Sequence, residues 1–85
     1  MYEVLLERRA ERDLKNLPPD VFRRVVEALR PLVDDPRPGG CRELSGSTSD
    51  YRLRVGSYRI LYEIDDDRRE VRVMRVRHRR EAYRT

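Results

Sequence analysis

The chain has 85 residues, 42% charged and 38% hydrophobic, with a formal charge of +4. That length suits one domain, residues 1–85, with a modest core. With one cysteine, Cys41, there is no internal disulfide, no Cys/His spacing suits a metal, and no apolar run is long enough for a signal core or a membrane span. A cytosolic protein without metal, cofactor or membrane partner is therefore expected.

In chain order, residues 2–6 (YEVLL) predict a short strand. Residues 8–17 predict a helix with Ala10, Leu14 and Leu17 on one side. Pro18-Pro19-Asp20 breaks the chain and opens a second helix, since proline is well tolerated in a first turn. Phe22, Val25, Val26, Leu29, Leu32 and Val33 then form a stripe expected to face a core, with Pro31 kinking or tightening the last turn. Residues 34–50 are rich in Pro, Gly, Ser and Asp and predict one long loop.

From Tyr51 the period changes to two. Tyr51, Leu53 and Val55 share one face of a strand, and Tyr58, Ile60, Tyr62 and Ile64 share one face of the next. Gly56-Ser57 suits a two-residue hairpin loop with glycine first. Asp65-Asp66-Asp67 marks another turn, and residues 70–76 (EVRVMRV) predict a central strand, being apolar in part on both faces. HRREAYRT ends the chain as a short turn or helix. The expected fold is α+β, an antiparallel β-sheet with two N-terminal helices packed on one face, in the order β-α-α-β-β-β.

The charge is unevenly placed. Residues 1–50 carry nine Lys/Arg and ten Asp/Glu, a net of −1, whereas residues 51–85 carry eleven Arg and six acids, a net of +5. If Gly56-Ser57 is the hairpin loop, Val55 pairs with Tyr58, Leu53 with Ile60 and Tyr51 with Tyr62 on the apolar face. The other face then sets Arg54 directly opposite Arg59, with Arg52 two residues along. Opposed like charges destabilise a sheet. The arrangement makes sense if an anion occupies the face, and guanidinium forks fit phosphate well. The competing reading is a solvated face screened by Glu63 or another acid.

The segments YRLRVGSYRILYEI…VRVMRVRHRREAY, LKNLPPDV and DDPRPGG…LSG, with the order of elements, resemble the RelE/ParE superfamily of toxins from bacterial type II toxin–antitoxin systems, over nearly the whole chain. The resemblance implies a RelE-like fold, entry into the ribosomal A site, mRNA cleavage without a metal, and a cognate antitoxin that wraps the toxin in an oligomeric complex. It places two basic residues before the hairpin turn on Arg52 and Arg54, one after it on Arg59, a C-terminal arginine on Arg79 and a tyrosine on Tyr83. With Arg77 added, the arginines are the expected RNA-binding set. Arg52 and Arg54 stand where some members carry lysine, and the step from Arg79 to Tyr83 is shorter than in some members.

RNA is cut when its 2′-OH attacks the adjacent phosphorus. Arginine stays protonated and cannot be the base, so Arg52, Arg54, Arg59 and Arg79 are expected to stabilise charge. Proton transfer falls to Tyr83, whose phenol needs nearby cations to lower its pKa, or to His78, which does not. Glu43 and Glu63 are read as partners for arginine rather than as bases. Two other functions stay open: a ParE-like inhibitor of DNA gyrase, and a catalytically degenerate module that binds RNA or an antitoxin.

Overall fold

The structure, a computed structural model, describes residues 1–44 and 50–82, and only the backbone of residues 81 and 82. β1 (Glu3–Leu6) is followed by α1 (Arg8–Lys15), α2 (Pro19–Leu29) and a 3₁₀ turn (Arg30–Val33). Then come β2 (Cys41–Glu43), β3 (Asp50–Val55), β4 (Tyr58–Asp65), β5 (Glu70–His78) and the one-turn α3 (Arg79–Ala82). The strands form one sheet in the order β1-β5-β4-β3-β2. The core joins Ala10 and Leu14 of α1 and Val25 and Leu29 of α2 to one face of that sheet. No helix among the described residues is long and apolar enough to cross a membrane.

The α+β fold with two helices on one face is the expected one, and the hairpin register is residue for residue the predicted one, from Tyr51↔Tyr62 to Val55↔Tyr58. Gly56 has φ +59°, the left-handed conformation that a glycine-first hairpin turn requires. Three details differ from the sequence reading. The sheet is mixed rather than antiparallel, because β1 runs parallel to β5. The loop over 34–50 contains β2, which pairs with β3. Pro31, by contrast, tightens the last turn, one of the two outcomes expected of it, into a 3₁₀ turn, its missing N–H being one an α-helix would have used. Phe22 is 43% exposed rather than in the core, since Val25, Leu29 and Leu32 already fill the buried side of that segment.

β5 is central, as expected, yet its apolar residues on two faces have another cause. Tyr62 pairs with Val73 but Leu61 pairs with Arg75, so Met74 is an extra residue in a β-bulge. The bulge keeps Val71, Val73 and Val76 all on the buried face, despite the three-residue step between the last two. Burying one Val, Leu or Ile side chain contributes about 1.5–3 kcal/mol. An opposed like-charge pair costs up to about 1 kcal/mol. The core therefore outweighs the repulsion on the sheet's other face.

The segment between the 3₁₀ turn and β2 is tied down at two points. The buried Tyr62 hydroxyl donates to the Pro36 carbonyl at 2.9 Å. Arg37 donates through Nε to the Tyr51 hydroxyl at 2.9 Å, lies over the Tyr51 ring, and pairs with Asp66 at 2.8 Å. The Tyr2 hydroxyl donates to the same carboxylate at 2.6 Å. Arg37 first, and Tyr2 second, hold the Asp66 carboxyl below its ordinary value of 3.8. A carboxylate with a depressed folded pKa adds stability above its unfolded pKa, and that stability is lost as pH falls through the folded value. Thermal midpoints of wild type and Asp66→Asn should thus differ modestly at neutral pH and converge as the pH drops below 3.8.

Candidate nucleic-acid interface

The face of the sheet away from the helices is zoned by charge. Strand pairing places Arg42 beside Arg52, Arg54 beside Arg59, and Arg59 beside Arg77. Two adjacent rows result: Arg42, Arg52, Leu61 and Arg75 in one, and Arg54, Arg59 and Arg77 in the other. Toward the opposite end of the same face, Asp50 stands beside Glu63 and Glu63 beside Arg72. Arg72 there is surrounded by Glu7, Glu63 and Glu70 at 3.4–3.7 Å. The acids gather around Arg72, which engages Glu63 at 3.4 Å.

A cleft of about 530 Å³ is lined by Gly39, Gly40, Arg42, Arg52, Leu53, Arg54, Gly56 and Arg59. Arg54 is exposed, whereas Arg59 is only 4% exposed, its guanidinium held within the sheet's surface. Its guanidinium is thus a cation of fixed position. Arg24 of α2 reaches the hairpin tip, with a guanidinium nitrogen 3.0 Å from where a Cβ on Gly56 would stand. The absent side chain at Gly56 leaves room for this additional cation.

The structure brings together Arg52, Arg54, Arg59 and Arg77. Arg79 is exposed at the start of α3, where its backbone N–H donates to the Ser57 carbonyl at 2.8 Å and tethers α3 to the hairpin turn. His78 stands apart from these arginines. It pairs with Tyr58 in the register and packs edge-on against that ring at 5.3 Å, on the helix side of the sheet. The bulge at Met74 sets this phase, which sends Arg77 to the arginine face and His78 away from it. The His78 Nδ1 accepts the Arg80 backbone N–H at 3.3 Å. Tyr83 lies outside the described residues. Arg42 and Arg24 were missed by the sequence reading: a three-residue strand has no usable period, and a helix arginine gives no hint of a hairpin tip beyond it.

The family described as ParE toxin of type II toxin–antitoxin system, parDE, matches residues 4–83. The chain belongs to this toxin family. Toxin RelG of Mycobacterium tuberculosis is 42% identical over 98% of this chain and 97% of its own length. Toxin RelE of the same organism is 31% identical over 98% of this chain and 87% of its own. A chain of the toxin–antitoxin complex RelBE2 from M. tuberculosis superposes with a TM-score of 0.79 at 35% identity, covering 91% of this chain and 96% of that one. A chain of the archaeal RelE–RelB complex from Pyrococcus horikoshii superposes with a TM-score of 0.82 at 25% identity, over 92% and 94%. Within this toxin family the chain is thus similar to RelE-type members, as its hairpin and C-terminal segment imply.

Proposed function

We propose that this toxin is a ribosome-dependent mRNA endonuclease that inhibits translation. The observation that carries the reading is the side-by-side row of Arg54, Arg59 and Arg77, backed by Arg42 and Arg52 along the cleft. Three guanidiniums in register raise the local positive potential where a phosphodiester gains negative charge. Such fixed donors are usually the largest catalytic contribution. In the proposed step the 2′-oxygen bonds to phosphorus as its proton is removed, the 5′-oxygen leaves and takes a proton from water to become a 5′-hydroxyl, and a 2′,3′-cyclic phosphate remains. Arg52, Arg54, Arg59 and Arg79 stabilise the crowded phosphorane, with no metal or cofactor required.

The proton must leave the 2′-OH through another group. His78 is on the far side of the sheet, and Glu63 is engaged by Arg72. We assign the role to Tyr83, which the resemblance implies and whose phenol would need nearby cations to lower its pKa. The site of action is the cytoplasm, on translating ribosomes. The partner that restrains the toxin is a cognate antitoxin, a reading supported by relatives solved as RelBE and RelE–RelB complexes. An antitoxin segment, helical and partly acidic, would fit the groove of about 350 Å³ on α2, where Phe22 and Val26 sit between Arg23 and Arg30.

A second reading follows from the matched family's description, which names ParE; in the resemblance, ParE-type members inhibit DNA gyrase. Primer extension on translated mRNA, run beside a gyrase supercoiling assay, separates the two. Cleavage confined to ribosome-bound message with supercoiling untouched is expected. Blocked supercoiling without cleavage would overturn the nuclease reading.

A further inference from the structure

β5 leaves its neighbour β1 after Val73, whose carbonyl accepts the Glu7 N–H at 2.9 Å. The bulge at Met74 follows immediately. At that point a bulged strand has lost a ladder partner and needs support from elsewhere. The support is Asp13 of α1. Its Oδ2 accepts both the Val76 backbone N–H and Arg75 Nε at 2.9 Å, and its Oδ1 accepts an Arg75 Nη at 3.2 Å. One carboxylate thus clamps the bulged segment through a main-chain bond and a two-pronged guanidinium pair. Two residues further along β5 is Arg77, in register with Arg59.

We propose that Asp13 is a positioning residue that fixes the phase of β5 beside the arginine rows and withholds Arg75 from the anion track. This rests on the reading of the face as an RNA site. Arg75 lies in the same row as Arg42 and Arg52, but beyond Leu61 and bound to a carboxylate. That row, unlike the one ending in Arg77, is therefore closed on the β5 side by an apolar residue and a neutralised cation. A phosphate strand is steered to the cleft between β2 and the hairpin, past Arg54 and Arg59. Burial alone would raise the Asp13 carboxyl's pKa, but the bonds from Arg75 and Val76 outweigh it and hold the group below its ordinary value, so Asp13 is ionised at neutral pH.

The test uses the full chain and three variants: Asp13→Asn, Arg75→Met and the double variant. Asparagine keeps an acceptor for the Val76 N–H while removing the charge, so the fold is retained and a thermal scan checks it. The readouts are affinity for a fluorescent oligouridylate as a function of salt, and kcat and KM for mRNA cleavage on ribosomes. Asp13→Asn should bind the oligouridylate more tightly, with a salt slope steeper by about 0.7, the value for one more phosphate contact on a single strand. Its kcat should fall by about tenfold or more, since a slightly misplaced catalytic group is costly. Adding Arg75→Met should restore the wild-type slope. A merely structural Asp13 would lower affinity and thermal midpoint together, and that result overturns the proposal. A wild-type slope in Asp13→Asn overturns it equally. If wild type binds the oligouridylate but never cuts mRNA, the nuclease reading alone fails and the slopes still decide the role of Asp13. If wild type does not bind, both fail.

Discussion

Arg54→Ala is expected to lower mRNA cleavage on ribosomes by about a hundredfold or more, the typical consequence of losing one preorganised donor to a developing charge. The fold should not suffer. Arg54 is exposed and stands directly opposite Arg59, so its removal relieves a repulsion. The thermal midpoint should be unchanged or slightly raised. Arg59 needs a different substitution. At 4% exposure its stem is part of the packing, and truncation to alanine would confuse a packing loss with a catalytic one. Arg59→Met keeps most of the stem and removes the charge, and should also lose cleavage by about a hundredfold. Arg72→Ala is the matched control: an arginine on the same face, set among three carboxylates at the other end, whose loss should leave cleavage nearly unchanged. Primer extension measures all three variants, with thermal unfolding beside it. If Arg54→Ala and Arg59→Met both cut like wild type, the arginine rows do not serve the chemistry.

The part of this site that was legible in the sequence is the part governed by strict alternation. The loop Gly56-Ser57 fixes the hairpin register, because a two-residue loop leaves no freedom in the pairing that follows. That alone put Arg54 against Arg59. What was illegible depends on broken periods and on contacts distant in sequence. In VRVMRVRH the alternation is perfect if Met74 is skipped, and the step from Val73 to Val76 was the signal for a bulge. Read without the bulge, the strand seemed apolar in part on both faces. β2 has three residues, too few to display any period, yet it carries Arg42 to the cleft. The parallel pairing of β1 with β5 spans more than sixty residues of sequence and has no local signature. Phe22 belongs to the same helical period as Val26 but to the stripe that points outward, and a stripe of six apolar residues is too wide for one buried face.

The largest loss of stability should come from Tyr62, a residue the sequence placed in the core by parity and the structure ties to the cleft as well. It is 1% exposed and stacks against Tyr51 with ring centroids 5.9 Å apart. Burial, with Cys41 alongside, pushes its phenol pKa well up, so the hydroxyl stays protonated and remains a donor to the Pro36 carbonyl. Tyr62→Ala removes a fully buried ring and should cost about 3–5 kcal/mol. A small domain has about 5–15 kcal/mol in total, so this variant should lose a large share of its stability. Tyr62→Phe separates the two contributions. It keeps the ring and leaves the buried Pro36 carbonyl without its donor, which should cost about 1–3 kcal/mol. The cost should not be confined to stability. Pro36 leads through Arg37 to Gly39, Gly40 and Arg42, which form one wall of the cleft. Loosening that wall should raise KM for ribosome-bound mRNA more than it lowers kcat, because Arg54, Arg59 and Arg77 are held by the ladder and not by the loop. Urea unfolding gives the stability terms, and cleavage kinetics give the split. A Tyr62→Phe protein as stable as wild type would show that the hydroxyl's bond to Pro36 contributes nothing, and an unchanged KM would show that the loop wall is no part of the binding surface.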